Sequence, residues 1–379
     1  MKKNICFLLV CFMTVQYSMA QFYHRAASYN VYDDTLFVAT KSGIIYYPLK
    51  ENGADWKTYA FNNMMIQSFV KSDAELLAIY QSETGYELLR SSDYGNTFAD
   101  ITPEDGAKAN YLYYSIYQMP DNPEHVFLVY PPNDMNSFQN NRMMESHDLG
   151  RNWTAVEKAT IQDGFFAVDP YNPGHIIVYG LQPYVNCICP YILETTDNFN
   201  TLNNVPFDYE PSFYFHSLSF CSSNTQKLLA ATSLGLFKST DGGLTWQKDC
   251  GLSDLNWWES HAVILYEPNH SQLVFVGGAR DIHYSKDSGE TWQQFYTLES
   301  DTDEEIVGML YYNDNIIVVS SHYNVYRVPL NQDPSSVSSF KQENVTKRTD
   351  SYNLQGQRLN AASHKGIYIQ NGKKYVVIK

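Results

Sequence analysis

The side chains able to do chemistry in this 379-residue chain fall into two groups that differ in spacing. The first is irregular: Glu210, Tyr214 and His216, then Trp257, Trp258, Glu259 and His261, then Asp301 and Asp303. Exposed rings stack on sugars or anchor a protein partner, and carboxylates accept hydrogen bonds from hydroxyls. Two carboxylates across a glycosidic bond can instead serve as acid and as base or nucleophile. Glu210, Glu259, Asp301 and Asp303 are therefore the catalytic candidates, although no spacing singles out a pair. Tyr214, Trp257, Trp258, His216 and His261 are the ligand-binding candidates. Most single rings in such stretches pack between elements; neighbouring Trp257 and Trp258 on a strand would face opposite ways, one packed and one exposed. His216 and His261 each stand twelve residues before the leucine of the next strand, Leu228 and Leu273. Two histidines with no carboxylate forced beside them fall short of a metal site, so no metal and no other cofactor is expected.

The second group is periodic. Asp93, Asp148, Asp197, Asp241 and Asp287 are separated by 55, 49, 44 and 46 residues, each two positions after a Ser or Thr. The clearest copies run Ser239-Thr240-Asp241-Gly242-Gly243-Leu244-Thr245-Trp246 and Ser285-Lys286-Asp287-Ser288-Gly289-Glu290-Thr291-Trp292. A carboxylate followed two residues later by Gly suits a tight turn, with the carboxylate accepting backbone N–H bonds and the Gly taking φ > 0. The closing Trp returns to the core as an apolar plug. Calcium loops gather more oxygen ligands than this pattern supplies. The pattern S-x-D-x-G-x-T-W resembles the Asp-box, or BNR repeat, of sialidases, sortilin-like receptors, xyloglucanases and photosystem assembly factors. That resemblance implies a structural hairpin rather than five catalytic aspartates.

The elements around the boxes repeat as well. Leu228 to Thr232 and Leu236 to Lys238 lead into one box, Leu273 to Gly277 and Ile282 to Tyr284 into another, each as two apolar strands joined by a short turn. Leu36 to Tyr47 and Asn315 to Arg327 match the strand pair without a good box, Gly53 and Trp56 being hairpin remnants of the former. Seven units of four strands at a period of about 40–50 residues predict an all-β, seven-bladed β-propeller over 21–335. Met119-Pro120-Asp121-Asn122-Pro123 and Asp169-Pro170-Tyr171-Asn172-Pro173 resemble the turn between first and second strands in sortilin-like propellers. Alternating strand direction puts box hairpins and first-to-second turns on one face. The other face holds second-to-third turns and blade crossovers, among them the whole aromatic and acidic group.

The ends carry addresses. Lys2 and Lys3 precede an apolar run from Ile5 to Val15, and Ser18-Met19-Ala20 offers small residues for cleavage before Gln21, so 1–20 reads as a signal peptide and the product as secreted or held at the cell surface. A linker over 336–350 leads to a β tail over 351–379, with an Asn-Gly turn at Asn371-Gly372. That tail resembles the C-terminal sorting signal of type IX secretion cargo in Bacteroidetes. No later apolar stretch reaches the ~18 residues of a spanning helix.

Charge divides the chain in the same way. Residues 21–340 hold 16 basic and 39 acidic residues, a net of −23, while 341–379 hold eight basic and two acidic, a net of +6. A body so acidic repels phosphate backbones, which argues against nucleic acid as a partner. Cys187, Cys189, Cys221 and Cys250 remain after cleavage and allow three disulfide pairings; Cys187-Ile188-Cys189 lacks both the spacing and the second pair of a thiolate metal site.

Two functions fit. A monomeric secreted propeller can be a binding module for a glycan or an extracellular protein. The alternative is a glycoside hydrolase. The sialidase version is disfavoured, since the family's F/Y-R-I-P motif has no match where Arg25 is followed by Ala26-Ala27. Xyloglucanase-like enzymes pair two propellers, and this chain has length for one.

Overall fold

The computed structural model describes residues 28–50, 56–83, 85–106, 114–131, 141–157, 163–183, 188–207, 213–222, 224–249, 251–252, 262–268, 272–298 and 303–330, together with 351–353, 358–359, 366–370 and 373–377. All regular structure among these is β. Seven sheets follow one another along the chain, each of consecutive antiparallel strands. Blade 5 is representative: Phe215–Phe220, Leu228–Thr232, Gly235–Ser239 and Gln247–Asp249 pair in that order. Blades 1 to 6 have four strands and blade 7 has three among the described residues, Ile306–Tyr312, Asn315–Ser320 and Val325–Pro329.

The second strand of each blade is the most apolar. Val126–Tyr130, Leu228–Thr232 and Val274–Gly278 are buried along their whole length. A strand covered on both faces reads as an unbroken hydrophobic run rather than an alternation, because neighbouring blades lie against each side. The core is accordingly divided into seven clusters, one at each junction between adjacent blades. Leu77, Leu128 and Tyr114 fill the junction of blades 2 and 3, and Ile177, Phe213 and Phe237 that of blades 4 and 5.

The seventh cluster closes the ring, joining Leu36, Val38 and Leu49 of blade 1 to Val307, Ile317 and Val319 of blade 7. Polar contacts reinforce it. Tyr29 donates its hydroxyl to the Met309 carbonyl (3.0 Å), Tyr312 donates to Asp34 (2.9 Å) and the Trp56 indole donates to the Tyr323 carbonyl (2.7 Å). Gly308 lies so close to the Tyr29 ring that a Cβ there would stand 2.5 Å from Cε1. Closure therefore rests on side chains roughly 280 residues apart in sequence.

Both expected faces are present. On one, the residue in the third-to-fourth connection donates its N–H to the carbonyl that precedes the second strand: Tyr94 to Ala74, Leu149 to Glu124, Asn198 to Gly174, Gly242 to Gln226 and Ser288 to Gln272, at 2.8 to 3.2 Å. The two blades without a box make the equivalent bond, Leu49 to Asp34 (2.8 Å) and Leu330 to Asp314 (2.9 Å). On the other face second-to-third turns bond the entry of the first strand, as in Ser233 N–H to the Tyr214 carbonyl (2.9 Å) and Ser321 N–H to that of Glu305 (2.8 Å).

The C-terminal segment forms a second unit. Its strands pair in the order Arg358–Leu359, Ser351–Asn353, Gly366–Gln370, Lys373–Val377, and Gln370 opposite Lys373 is the register that the expected Asn371-Gly372 turn requires. Residues 1–20, expected to be a signal peptide, and 336–350, expected to be a linker, lie outside the described residues.

Candidate functional site

The five periodic aspartates share one hydrogen-bond pattern. In blade 5, Ser239 Oγ donates to Asp241 Oδ1 (2.8 Å) and accepts the Gly243 N–H (2.9 Å). Asp241 Oδ1 also accepts the Thr245 N–H (2.9 Å), and Oδ2 accepts the Thr245 hydroxyl (2.6 Å). The same bonds recur around Asp93, Asp197 and Asp287, and around Asp148 with Asn152 in place of Thr. Burial pushes the Asp241 carboxyl up, but the bonds from Thr245 and Ser239 outweigh it and hold the group below the usual carboxylate range. Hydrogen bonds from Ser285 and Thr291 lower Asp287 to about 2.

Two successive residues of each hairpin have φ > 0, Gly242 (77°) and Gly243 (93°) in blade 5. An added Cβ on Gly243 would stand 2.9 Å from Ile177 Cδ1 of blade 4, so this glycine serves both the turn and a close approach. Blade 4 departs from the pattern. Phe199 takes the glycine position at φ 63° and is buried against Phe127 (ring centroids 5.3 Å) and Phe166 (5.4 Å). Packing across the junction of blades 3 and 4 offsets the unfavourable backbone there. The Trp246 and Trp292 indoles return to bond the carbonyls of Gly243 (2.9 Å) and Gly289 (3.1 Å). Each hairpin thus consumes its own carboxylate, consistent with a structural role.

Of the remaining candidates, Tyr214, His216 and Asp303 are described and lie toward the opposite face. Tyr214 and His216 enter blade 5 half-buried, with rings edge to face at 5.7 Å, and Tyr214 accepts the Ser233 N–H on its carbonyl. Burial pushes the Tyr214 phenol up. Asp303, at the entry to blade 7, has a 97% exposed side chain and lies 3.7 Å from His322. Its neighbour Glu304 is buried and accepts from Asn324 (2.8 Å) and from the Tyr326 hydroxyl (2.8 Å), which with burial raises the phenol of Tyr326. Glu210, Trp257, Trp258, Glu259, His261 and Asp301 lie outside the described residues. So do Cys187, Cys250 and the side chain of Cys189; Cys221 is buried at the junction of blades 5 and 6.

Several charged clusters were not legible from spacing. Glu75 of blade 2 is bonded by both Arg90 and Arg151. Lys71 is buried with its ammonium 4.1 Å from the Tyr32 ring centroid and 5.1 Å from that of Phe37, and burial lowers its pKa. His125, Glu145 and His147 converge at the box end of blade 3.

No family model matches the chain. A 102-residue segment, 26% of this chain, is 29% identical to the vacuolar protein sorting/targeting protein 10 of Aspergillus clavatus and spans 6% of that protein's length. Among solved structures, YCF48 bound to a D1 peptide aligns with a TM-score of 0.54 at 13% identity, over 82% of this chain and 94% of that one. An ancestral GH74 enzyme aligns with a TM-score of 0.46 at 17% identity, over 67% of this chain and 34% of that one. At 13% identity the likeness to YCF48 is one of fold.

Proposed function

We propose that the chain is an exported Asp-box propeller, monomeric, that binds an extracellular protein segment or a glycan over its crossover face. The observation that carries this reading is that all five box carboxylates are engaged inside their own hairpins. The chemistry left over is the aromatic and acidic set of the crossovers. Of the carboxylates described there, Asp303 is solvated and Glu304 is held by Asn324 and Tyr326, which suits recognition better than a paired acid and base. A protein segment is the first choice, and the fold shared with peptide-bound YCF48 supports it. The signal-like leader and the tail with its resemblance to a sorting signal support export and a surface or medium location.

The test is binding of the purified chain to extended-peptide and glycan arrays, alongside a glycoside hydrolase screen. Tyr214→Ala and Trp258→Ala should each weaken the interaction found, since a stacking anchor can carry ~2 kcal/mol or more. Glu210→Gln and Glu259→Gln should weaken binding in a module; in a hydrolase they would leave binding and abolish turnover. An interaction that survives all four substitutions places the site elsewhere.

A further inference from the structure

We propose that the box end of blade 3 is a binding site for a transition-metal dication of the zinc class, with His125, Glu145 and His147 as its three protein ligands. Spacing in the sequence does not point to it, because His125 stands twenty residues before Glu145.

The fold supplies the juxtaposition. The second strand Val126–Tyr130 pairs antiparallel with the third, Arg142–Ser146, setting Phe127 opposite Glu145 and Val126 opposite Ser146. His125 precedes the former strand and His147 follows the latter, so the two imidazoles bracket Glu145. His125 Nε2 lies 2.7 Å from Glu145 Oε1, and His147 Nε2 lies 3.2 Å from the same oxygen. The two rings face each other at 4.2 Å between centroids, and all three ligand atoms lie within 4.8 Å of one another. In a tetrahedral site with bonds of about 2.0–2.1 Å, ligand atoms are about 3.3 Å apart. The His147–Glu145 distance is already near that value, the His125–Glu145 distance would open by about half an ångström, and the third lies within the 4.8 Å that bounds the set.

Blade 4 supplies an internal control. His175 occupies the position of His125, its N–H bonded to the Asn172 carbonyl (2.8 Å) as His125 bonds that of Asn122 (2.9 Å). Glu194 opposite Ile177 occupies the position of Glu145. There the imidazole is buried between Asp169 (3.2 Å from Nδ1) and Glu194 (3.8 Å from Nε2), and the residue equivalent to His147 is Thr196. A histidine beside a glutamate at this place is a packing feature of the fold. What the feature does not require is His147, whose side chain is 66% exposed and yet turned onto the carboxylate oxygen already used by His125. One carboxylate oxygen can accept a hydrogen bond from each imidazole, and once both nitrogens are deprotonated the same convergence offers two nitrogens and an oxygen to a single cation. Borderline-soft nitrogen donors with a carboxylate select zinc and its neighbours over calcium or magnesium. The exposure of His147 leaves the fourth position open to water.

The experiment is equilibrium dialysis of the purified full chain against micromolar Zn²⁺, with melting followed in parallel with and without zinc. One zinc per chain should be retained, and its binding should raise the melting temperature, because a ligand selective for the folded state stabilises it. His147→Ala should weaken zinc binding by roughly tenfold or more and abolish the shift, while melting like the wild type in zinc-free buffer. His322→Ala, at an exposed histidine on another blade, should change neither. Failure to retain zinc, or a His147→Ala chain that binds it as the wild type does, would overturn the assignment.

Discussion

Removal of the box carboxylate in blade 5 by Asp241→Ala separates two roles that the sequence pattern merges. The carboxylate accepts three bonds, from Ser239 Oγ, Thr245 N and Thr245 Oγ1. Thr245 is exposed, so water replaces the acceptor for two of them. Ser239 is buried, and its hydroxyl loses an ionised acceptor while still receiving the Gly243 N–H. The expected loss is about 1–2 kcal/mol, that of one partly buried charge-assisted bond. Ser239→Ala should cost more, about 2–3 kcal/mol, since it leaves the Gly243 N–H buried without an acceptor and also unties the carboxylate. The buried amide of the box is thus held by the serine, whereas the expectation from sequence assigned that task to the aspartate. Urea unfolding of both variants measures the order, and a loss of about 2 kcal/mol would lower the melting temperature by roughly 3 °C in a domain of this size. An Asp241→Ala variant less stable than Ser239→Ala would refute this division of labour. Loss of ligand binding at unchanged stability would refute the structural reading of the boxes altogether.

Acid should weaken the propeller through the same groups. Hydrogen bonds depress the Asp287 carboxyl to about 2; in Asp148 burial pushes up, but bonds from Asn152 and Ser146 bring it to about 2 as well. Depressed carboxyls stabilise the fold above the unfolded value of about 4, and that contribution is lost as pH falls from about 4 to about 2. The melting-temperature gap between the wild type and Asp287→Asn should therefore narrow over that window; a gap independent of pH would contradict it. At the ring closure, Gly308→Ala should destabilise by about 1–3 kcal/mol by driving a methyl into the Tyr29 ring, with Tyr29→Phe costing about 1 kcal/mol for its bond to Met309. Thermal melts check both, and a Gly308→Ala chain as stable as the wild type would mean the closure yields without strain. Deletion of 351–379 should leave the melting of the propeller unchanged and, if the chain is exported as proposed, alter where it accumulates; fractionation of cells and medium reads the latter, and an unaltered distribution would reduce the tail to a structural appendage.

Local chemistry was enough to determine the repeat. Asp and Gly two residues apart specify a turn with φ > 0 wherever they occur, and runs such as Leu228 to Thr232 specify strands buried on both sides, so blade number and the segregation of turns between two faces follow from spacing. Even blades 1 and 7 were legible, because their strand pairs persist where the box has decayed. Tertiary structure alone decided what strand pairing and ring closure bring together. Tyr29 meets Met309 only because blade 1 packs on blade 7, and Phe199 tolerates a glycine's backbone only because Phe127 and Phe166 receive its ring. His125 lies twenty residues before Glu145 in the chain and 2.7 Å from it in space. No periodicity encodes that proximity, since register fixes which residues oppose one another only once both strands have found the same sheet.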